Sequence, residues 1–133
     1  MDSHKLIKLS EIDDFAKETA GAVRGGEILA LVGPLGSGKT AFTKALGKHL
    51  AIKQGVSSPS FRLLHSHSGK TKNGKKITVY HLDLYRIKGW SEAKALGLEE
   101  IWKNKSAVTV IEWANKIKKY LPKNTTFIKF SGT

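Results

Sequence analysis

Apolar residues recur along the chain with two periods, and the switches between them mark out the elements. Ile12, Phe15, Ala16, Thr19 and Val23 fall on one face of a helix. Ser10 and Asp13 have the spacing of a capping box at its start, and Gly25-Gly26 predicts its end. Glu27–Val32 is then almost wholly apolar, the pattern of a short strand covered on both faces. Beyond a glycine-rich turn, Phe42, Ala45, Leu46, His49 and Leu50 return to helical spacing. The order is strand, glycine turn, helix.

The middle of the chain is β-prone. Ser60–His67 and Lys76–Tyr85 flank the polar stretch SGKTKNGK, which contains Asn73-Gly74 and predicts an antiparallel hairpin with a turn longer than two residues. Alternation along its second strand puts Ile77, Val79, His81, Asp83 and Tyr85 on one face. Short helices are expected near Ser91–Leu96 and Leu98–Lys103, and a buried strand at Ala107–Ile111. A helix over Ala114–Leu121, stopped by Pro122, and a strand at Thr125–Phe130 close the pattern. The expected architecture is α/β, a mixed sheet with an antiparallel hairpin and flanking helices, in one domain spanning residues 1–133.

Composition narrows the classes. The longest unbroken apolar run, Ile28–Val32, falls far short of the ~20 residues of a membrane span. The N-terminus has no apolar core of a secretory signal, and the chain has no cysteine, which removes disulfides, thiolate metal sites and thiol catalysis. A cytoplasmic protein is expected. Twenty-three Lys and Arg against eleven Asp and Glu give a net charge of +12. Such an excess suits nucleic acid, nucleotides or an acidic protein face, or else a merely solvated basic surface. The turn lysines Lys70, Lys72, Lys75 and Lys76 pose the same choice locally.

Gly33-Pro-Leu-Gly-Ser-Gly38-Lys39-Thr40 fits the phosphate-binding pattern G-x-x-x-x-G-K-[ST], placed after a buried strand and before an amphipathic helix. Glycines let successive backbone N–H groups curl inward onto phosphate oxygens, and the helix adds its positive end. The candidate nucleotide-binding run is Gly33, Leu35, Gly36, Ser37, Gly38, Lys39, Thr40 and Ala41. Lys39 has the reach for the β- and γ-phosphates, and the Thr40 hydroxyl can ligate Mg²⁺.

Such a loop needs an acid at the end of a neighbouring strand. Glu112 follows four β-prone residues, Val108–Ile111, and is the candidate for the metal side, with a solvated helix-start glutamate as the alternative. Trp113 beside it suits either core or site. Asp83 closes an apolar strand face, where an acid must be paired, hydrogen-bonded or near a metal; it is a candidate for orienting water, or for pairing with Arg86 or a lysine. His65, His67 and His81 have the spacing of a three-histidine zinc site, but no carboxylate motif accompanies them and a half-exposed hairpin accounts for them better. Asn104-Lys105-Ser-Ala and Asn115-Lys116-Ile-Lys do not form the guanine-reading N-K-x-D, which favours ATP over GTP.

Taken in order, Gly33–Thr40, Ser58-Pro-Ser-Phe61, His81–Arg86, Leu96-Gly-Leu-Glu-Glu100 and Ile111-Glu-Trp113 resemble the motif series of the TsaE (YjeE) family, the ATPase subunit of bacterial tRNA threonylcarbamoyladenosine (t6A) biosynthesis. The resemblance implies a P-loop NTPase fold and weak Mg²⁺-dependent ATPase activity with TsaB and TsaD, serving adenosine 37 of tRNAs that read codons beginning with A. It implies metal-site roles for Thr40, Glu112 and the hydroxyl of Ser60, hydrolytic roles for Asp83 and Trp113, and an adenine-side position for Leu9–Glu11, including Ser10. The chain departs from the pattern at Ser60, usually Thr, at Ala114, usually Pro, and at Pro34, usually Asp. It also ends at Gly132-Thr133, where many members continue through a Gly-Arg segment. Two other readings remain open, a small-molecule kinase and a nucleotide-gated RNA-binding module without turnover. The first has only the P-loop in its favour and too few residues after Glu112 for a lid and acceptor domain; the second requires nothing of Asp83.

Overall fold

A computed structural model of the chain describes residues 6–34, 36–53 and 64–133. Six strands form one sheet in the order β1-β6-β2-β5-β4-β3. They are β1 (Leu6–Ile7), β2 (Ile28–Val32), β3 (Leu64–Lys70), β4 (Lys76–Asp83), β5 (Ala107–Glu112) and β6 (Thr126–Phe130). All neighbours run parallel except β3 and β4, which form the expected hairpin. Lys70 pairs with Lys76, so the connection is the five residues Thr71–Lys75, shorter than the polar stretch had implied.

The central strands are apolar on both faces because helices cover both. Alternation sends Leu29, Leu31, Val108, Val110, Ile77 and Val79 to one side, against α1 (Ile12–Ala22) and α2 (Lys39–His49). Ile28, Ala30, Ile111, Leu82 and Leu84 go to the other. There they meet α3 (Trp90–Lys94), α4 (Leu98–Trp102) and the segment Ala114–Tyr120. Every residue of β5 is buried, as a strand between two covered faces must be.

Three local expectations are corrected. α1 is not opened by a Ser10–Asp13 box: a 3₁₀ turn, Leu9–Glu11, precedes it, and the reciprocal bonds join Lys8 and Glu11. The Lys8 amide donates to Glu11 Oε1 at 3.0 Å, and the Glu11 amide to the Lys8 carbonyl at 2.9 Å. α1 ends at Ala22, before the glycines, because Val23 is extended and buried in the core. Ala114–Tyr120 is a 3₁₀ segment broken at Ile117 (φ −128°, ψ 22°) rather than an α-helix. Burial of Ala114 and Ile117 against the sheet takes precedence there over α-helical hydrogen bonding.

Candidate functional site

The chain leaves β2 at Val32, turns through Gly33–Gly38 and enters α2 at Lys39. Gly38 is left-handed (φ 102°), and a Cβ there would run into Ile12 Cδ1. A Cβ on Gly33 would lie 2.9 Å from the Phe130 carbonyl oxygen. Glycine is therefore required at both places by conformation and by close packing. Lys39 is only 5% exposed. Its Nζ donates to the carbonyls of Gly33 at 2.5 Å and Pro34 at 3.2 Å, and sits 4.0 Å from the centre of the Trp113 ring. Burial lowers the Lys39 pKa below the ordinary lysine value, while the carboxylates of Glu112 and Asp83 act in the opposite direction.

Both acids stand at the C-terminal ends of neighbouring parallel strands, with Asp83 in register with Glu112. Residues in register share a face, and this face is the one α2 covers. Thr40 Oγ1 donates to Glu112 Oε1 at 3.1 Å, joining the first turn of α2 to the end of β5. Glu112 is 3% exposed, which rules out the solvated helix-start alternative. Asp83 is half-buried and accepts the Tyr85 amide at 3.0 Å; among the described residues it makes no ion pair with Arg86.

Glu112 has a second partner that the sequence reading missed. His81 lies two residues before Asp83 on the same face of β4, and its Nε2 is 2.5 Å from Glu112 Oε2. The expectation that a half-exposed hairpin accounts for all three histidines fails for His81, which is fully buried. The signal was present in the alternation that put His81 beside Asp83. His65 sits across from His81 in the β3–β4 register, and its ring lies 6.3 Å from that of His67. Burial, then the neighbouring His65 and His81, lower the pKa of His67. Among the described residues no group of three or more His, Cys, Asp or Glu is arranged to hold a metal, so the zinc alternative gains nothing.

Trp113 serves core and site together. It adopts a left-handed backbone (φ 61°, ψ 37°), costly for a bulky residue and imposed by the turn out of β5. One neighbour of its ring is the Lys39 ammonium and another is Tyr85, whose ring centre is 4.9 Å away. The Tyr85 carbonyl in turn accepts from Lys116 Nζ.

The turn Leu9–Glu11, which contains Ser10, lies beside the loop: Leu9 Cδ2 is 3.4 Å from where a Gly38 Cβ would be. The Leu9 amide donates to the Thr133 carbonyl at 2.7 Å, bringing the last residues of the chain to the same side. Gly36 and Ala41 are exposed, whereas Ser37 is buried and its Oγ has no partner among the described residues. Leu35, Ser60 and the rest of Ser58–Phe61 lie outside the described residues.

Residues 6–133 match the model of a family described as "Threonylcarbamoyl adenosine biosynthesis protein TsaE". The tRNA threonylcarbamoyladenosine biosynthesis protein TsaE of Bacillus subtilis is 36% identical over 118 residues, 89% of this chain and 70% of the relative. The protein of that name from Rickettsia bellii is 39% identical over 113 residues, 84% of this chain and 74% of the relative. Among solved structures, the crystal structure of YdiB from Bacillus subtilis superposes with a TM-score of 0.62 at 31% identity, over 88% of this chain and 67% of that one.

Proposed function

The chain belongs to the TsaE family, and from that membership we propose that it is the ATP-hydrolysing member of a t6A-forming assembly, acting with TsaB and TsaD. The observation that carries this reading is the Thr40–Glu112 contact at the mouth of the Gly33–Thr40 loop. A hydroxyl and a carboxylate 3.1 Å apart are hard oxygen donors of the kind Mg²⁺ takes, and they meet where the loop would present a triphosphate. When bound, Mg²⁺ would supply charge neutralisation on the β- and γ-phosphate oxygens. Thr40 and Glu112 would hold it, with the Ser60 hydroxyl as a further donor.

The chain's own groups account for the rest. Backbone amides of Gly36–Thr40 receive phosphate oxygens, and Lys39 transfers its donors from the Gly33 and Pro34 carbonyls to phosphate. Asp83, half-buried beside Glu112, orients a water for in-line attack on the γ-phosphorus; the bond to the β–γ bridging oxygen breaks, and ADP and phosphate leave. Trp113 packs on Lys39 and on the turn after β4, so a partner pressing on that turn reaches the lysine. Leu9 borders the loop at Gly38, and the family resemblance puts the adenine beside this turn, which also holds Ser10.

Of the three arginines, Arg24 bonds to the carbonyls of Gly21 and Val23, before the start of β2 and away from the loop. Arg62 lies outside the described residues and Arg86 is exposed in the segment that follows β4, so none is placed on the phosphates by a described contact. Hydrolysis is accordingly slow in the isolated protein and accelerated by the partners, since a missing arginine charge can be worth ~10³–10⁵-fold. Phosphate release by the protein alone, then with the TsaB–TsaD pair added, tests this. Rapid turnover indifferent to the pair would refute it, and phosphoryl transfer to a nucleoside or sugar would favour the kinase reading.

A further inference from the structure

The end of the sheet remote from the phosphate loop carries a group of cations that the nucleotide site does not use. Three connections meet there: the link from α1 to β2, the hairpin turn Thr71–Lys75, and the residues just before β5. Hydrogen bonds tie them into one frame. Lys75 Nζ donates to the Arg24 carbonyl at 3.2 Å, the Gly26 amide to the Ala107 carbonyl at 2.6 Å, and the Thr78 amide to the Ser106 carbonyl at 2.9 Å. The turn is closed by the Thr71 amide on the Lys75 carbonyl and the Gly74 amide on the Thr71 carbonyl, both at 2.9 Å.

On this frame Arg24, Lys70, Lys72, Lys75, Lys76 and Lys105 are all exposed. Among the described residues none of them is ion-paired with a carboxylate. The acid of these connections, Glu27, is turned onto backbone, accepting the amides of Arg24 at 2.7 Å and Gly25 at 2.8 Å. Six cations on an ordered backbone thus stand against one carboxylate, which leaves a clear excess of positive charge.

Chemistry selects the occupant. Among the described residues, the exposed large apolar side chains, Leu6, Leu9, Tyr85 and Tyr120, all lie outside these connections. Among the described residues this surface therefore lacks the apolar anchors of a membrane-binding face and the apolar centre of a protein interface. Cations interleaved with the small polar residues Asn73, Gly74 and Ser106 match a ligand of repeating phosphates and hydroxyls. We propose that this end of the sheet binds the phosphate backbone of RNA, the tRNA on which the family's modification is made. The nucleotide loop lies at the other end of β2, so both ligands fit at once, and the proposal holds whether or not the protein hydrolyses ATP.

Fluorescence anisotropy of labelled tRNA, without nucleotide and across a salt series, tests it with two variants of equal charge. One carries Lys72→Glu, Lys76→Glu and Lys105→Glu; the other carries Lys44→Glu, Lys88→Glu and Lys129→Glu, all exposed and none at that end of the sheet. The first should bind at least tenfold more weakly at 50 mM salt, and its log–log salt slope should shrink by about 2–3, at ~0.7–0.9 per lost phosphate contact. The second should remain close to wild type. A glutamine version of the first triple, with its folding checked by thermal unfolding, guards against a structural loss and should show the same slope change. Equal weakening by both triples, no binding of tRNA by wild type, or competition by polyglutamate as effective as by tRNA would each overturn the proposal.

Discussion

His81 Nε2 lies 2.5 Å from Glu112 Oε2, and the two side chains are 1% and 4% exposed. The pair links β4 to β5 beneath the phosphate loop and leaves Oε1 of the same carboxylate to Thr40. Glu112 is thereby held from both sides, its orientation fixed by a buried neighbour 31 residues away along the chain. In the metal role proposed for Glu112, such a fixed second partner would hold the carboxylate in place.

Removing that partner leaves Oε2 of a buried carboxylate without its contact, while Thr40 keeps Oε1. His81→Ala should destabilise the fold by about 2–3 kcal/mol, the scale of leaving a buried polar group unsatisfied. His81→Gln, which keeps a donor, should recover much of the loss. Urea unfolding measures both, and equal stability of His81→Ala and wild type would show that Glu112 does not depend on His81.

Glu112→Gln preserves shape and removes the charge. Phosphate release in the presence of the TsaB–TsaD pair should fall by about a hundredfold or more, as expected when a group supporting the transition-state charge is lost. The circular dichroism spectrum should be unchanged. Undiminished turnover would remove Glu112 from the metal side.

Lys39→Ala should weaken ATP or ADP binding at least tenfold, about 1.4 kcal/mol, because a charge-assisted phosphate contact disappears. Titration calorimetry gives the number directly. The variant should not be strongly destabilised, since burial lowers the pKa of the ammonium it removes and, among the described residues, that ammonium hydrogen-bonds only to the Gly33 and Pro34 carbonyls.

His67 makes the fold sensitive to acid. Its pKa is lowered in the folded protein by burial and by its neighbours His65 and His81. The unfolded chain therefore binds a proton at a higher pH than the folded one, and stability falls as pH drops through the ordinary histidine value near 6.5. Below the folded pKa both states are protonated and the loss levels off. Denaturant midpoints from pH 7.5 to pH 5 should decline, and His67→Gln should flatten part of that decline; an unaltered slope in the variant would assign it to other groups.

The phosphate loop was legible in the sequence because everything that shapes it is local. Its backbone must turn left-handed at Gly38 and pass close to Phe130 at Gly33, and only glycine meets those demands at that spacing. The hairpin, the buried β5 with Glu112 at its end, and both faces of the sheet followed from periodicity, which burial on two sides imposes on neighbouring residues. What the tertiary structure decided are matters of register and competition between distant segments. The β4–β5 register brings His81 within reach of Glu112, and no pattern within either strand specifies that register. Leu6–Ile7 becomes a strand only because β6 offers it a parallel edge. The segment after Trp113 tightens to a 3₁₀ path because Ala114 and Ile117 must reach the sheet, a packing constraint that outweighs the helical spacing read from its sequence.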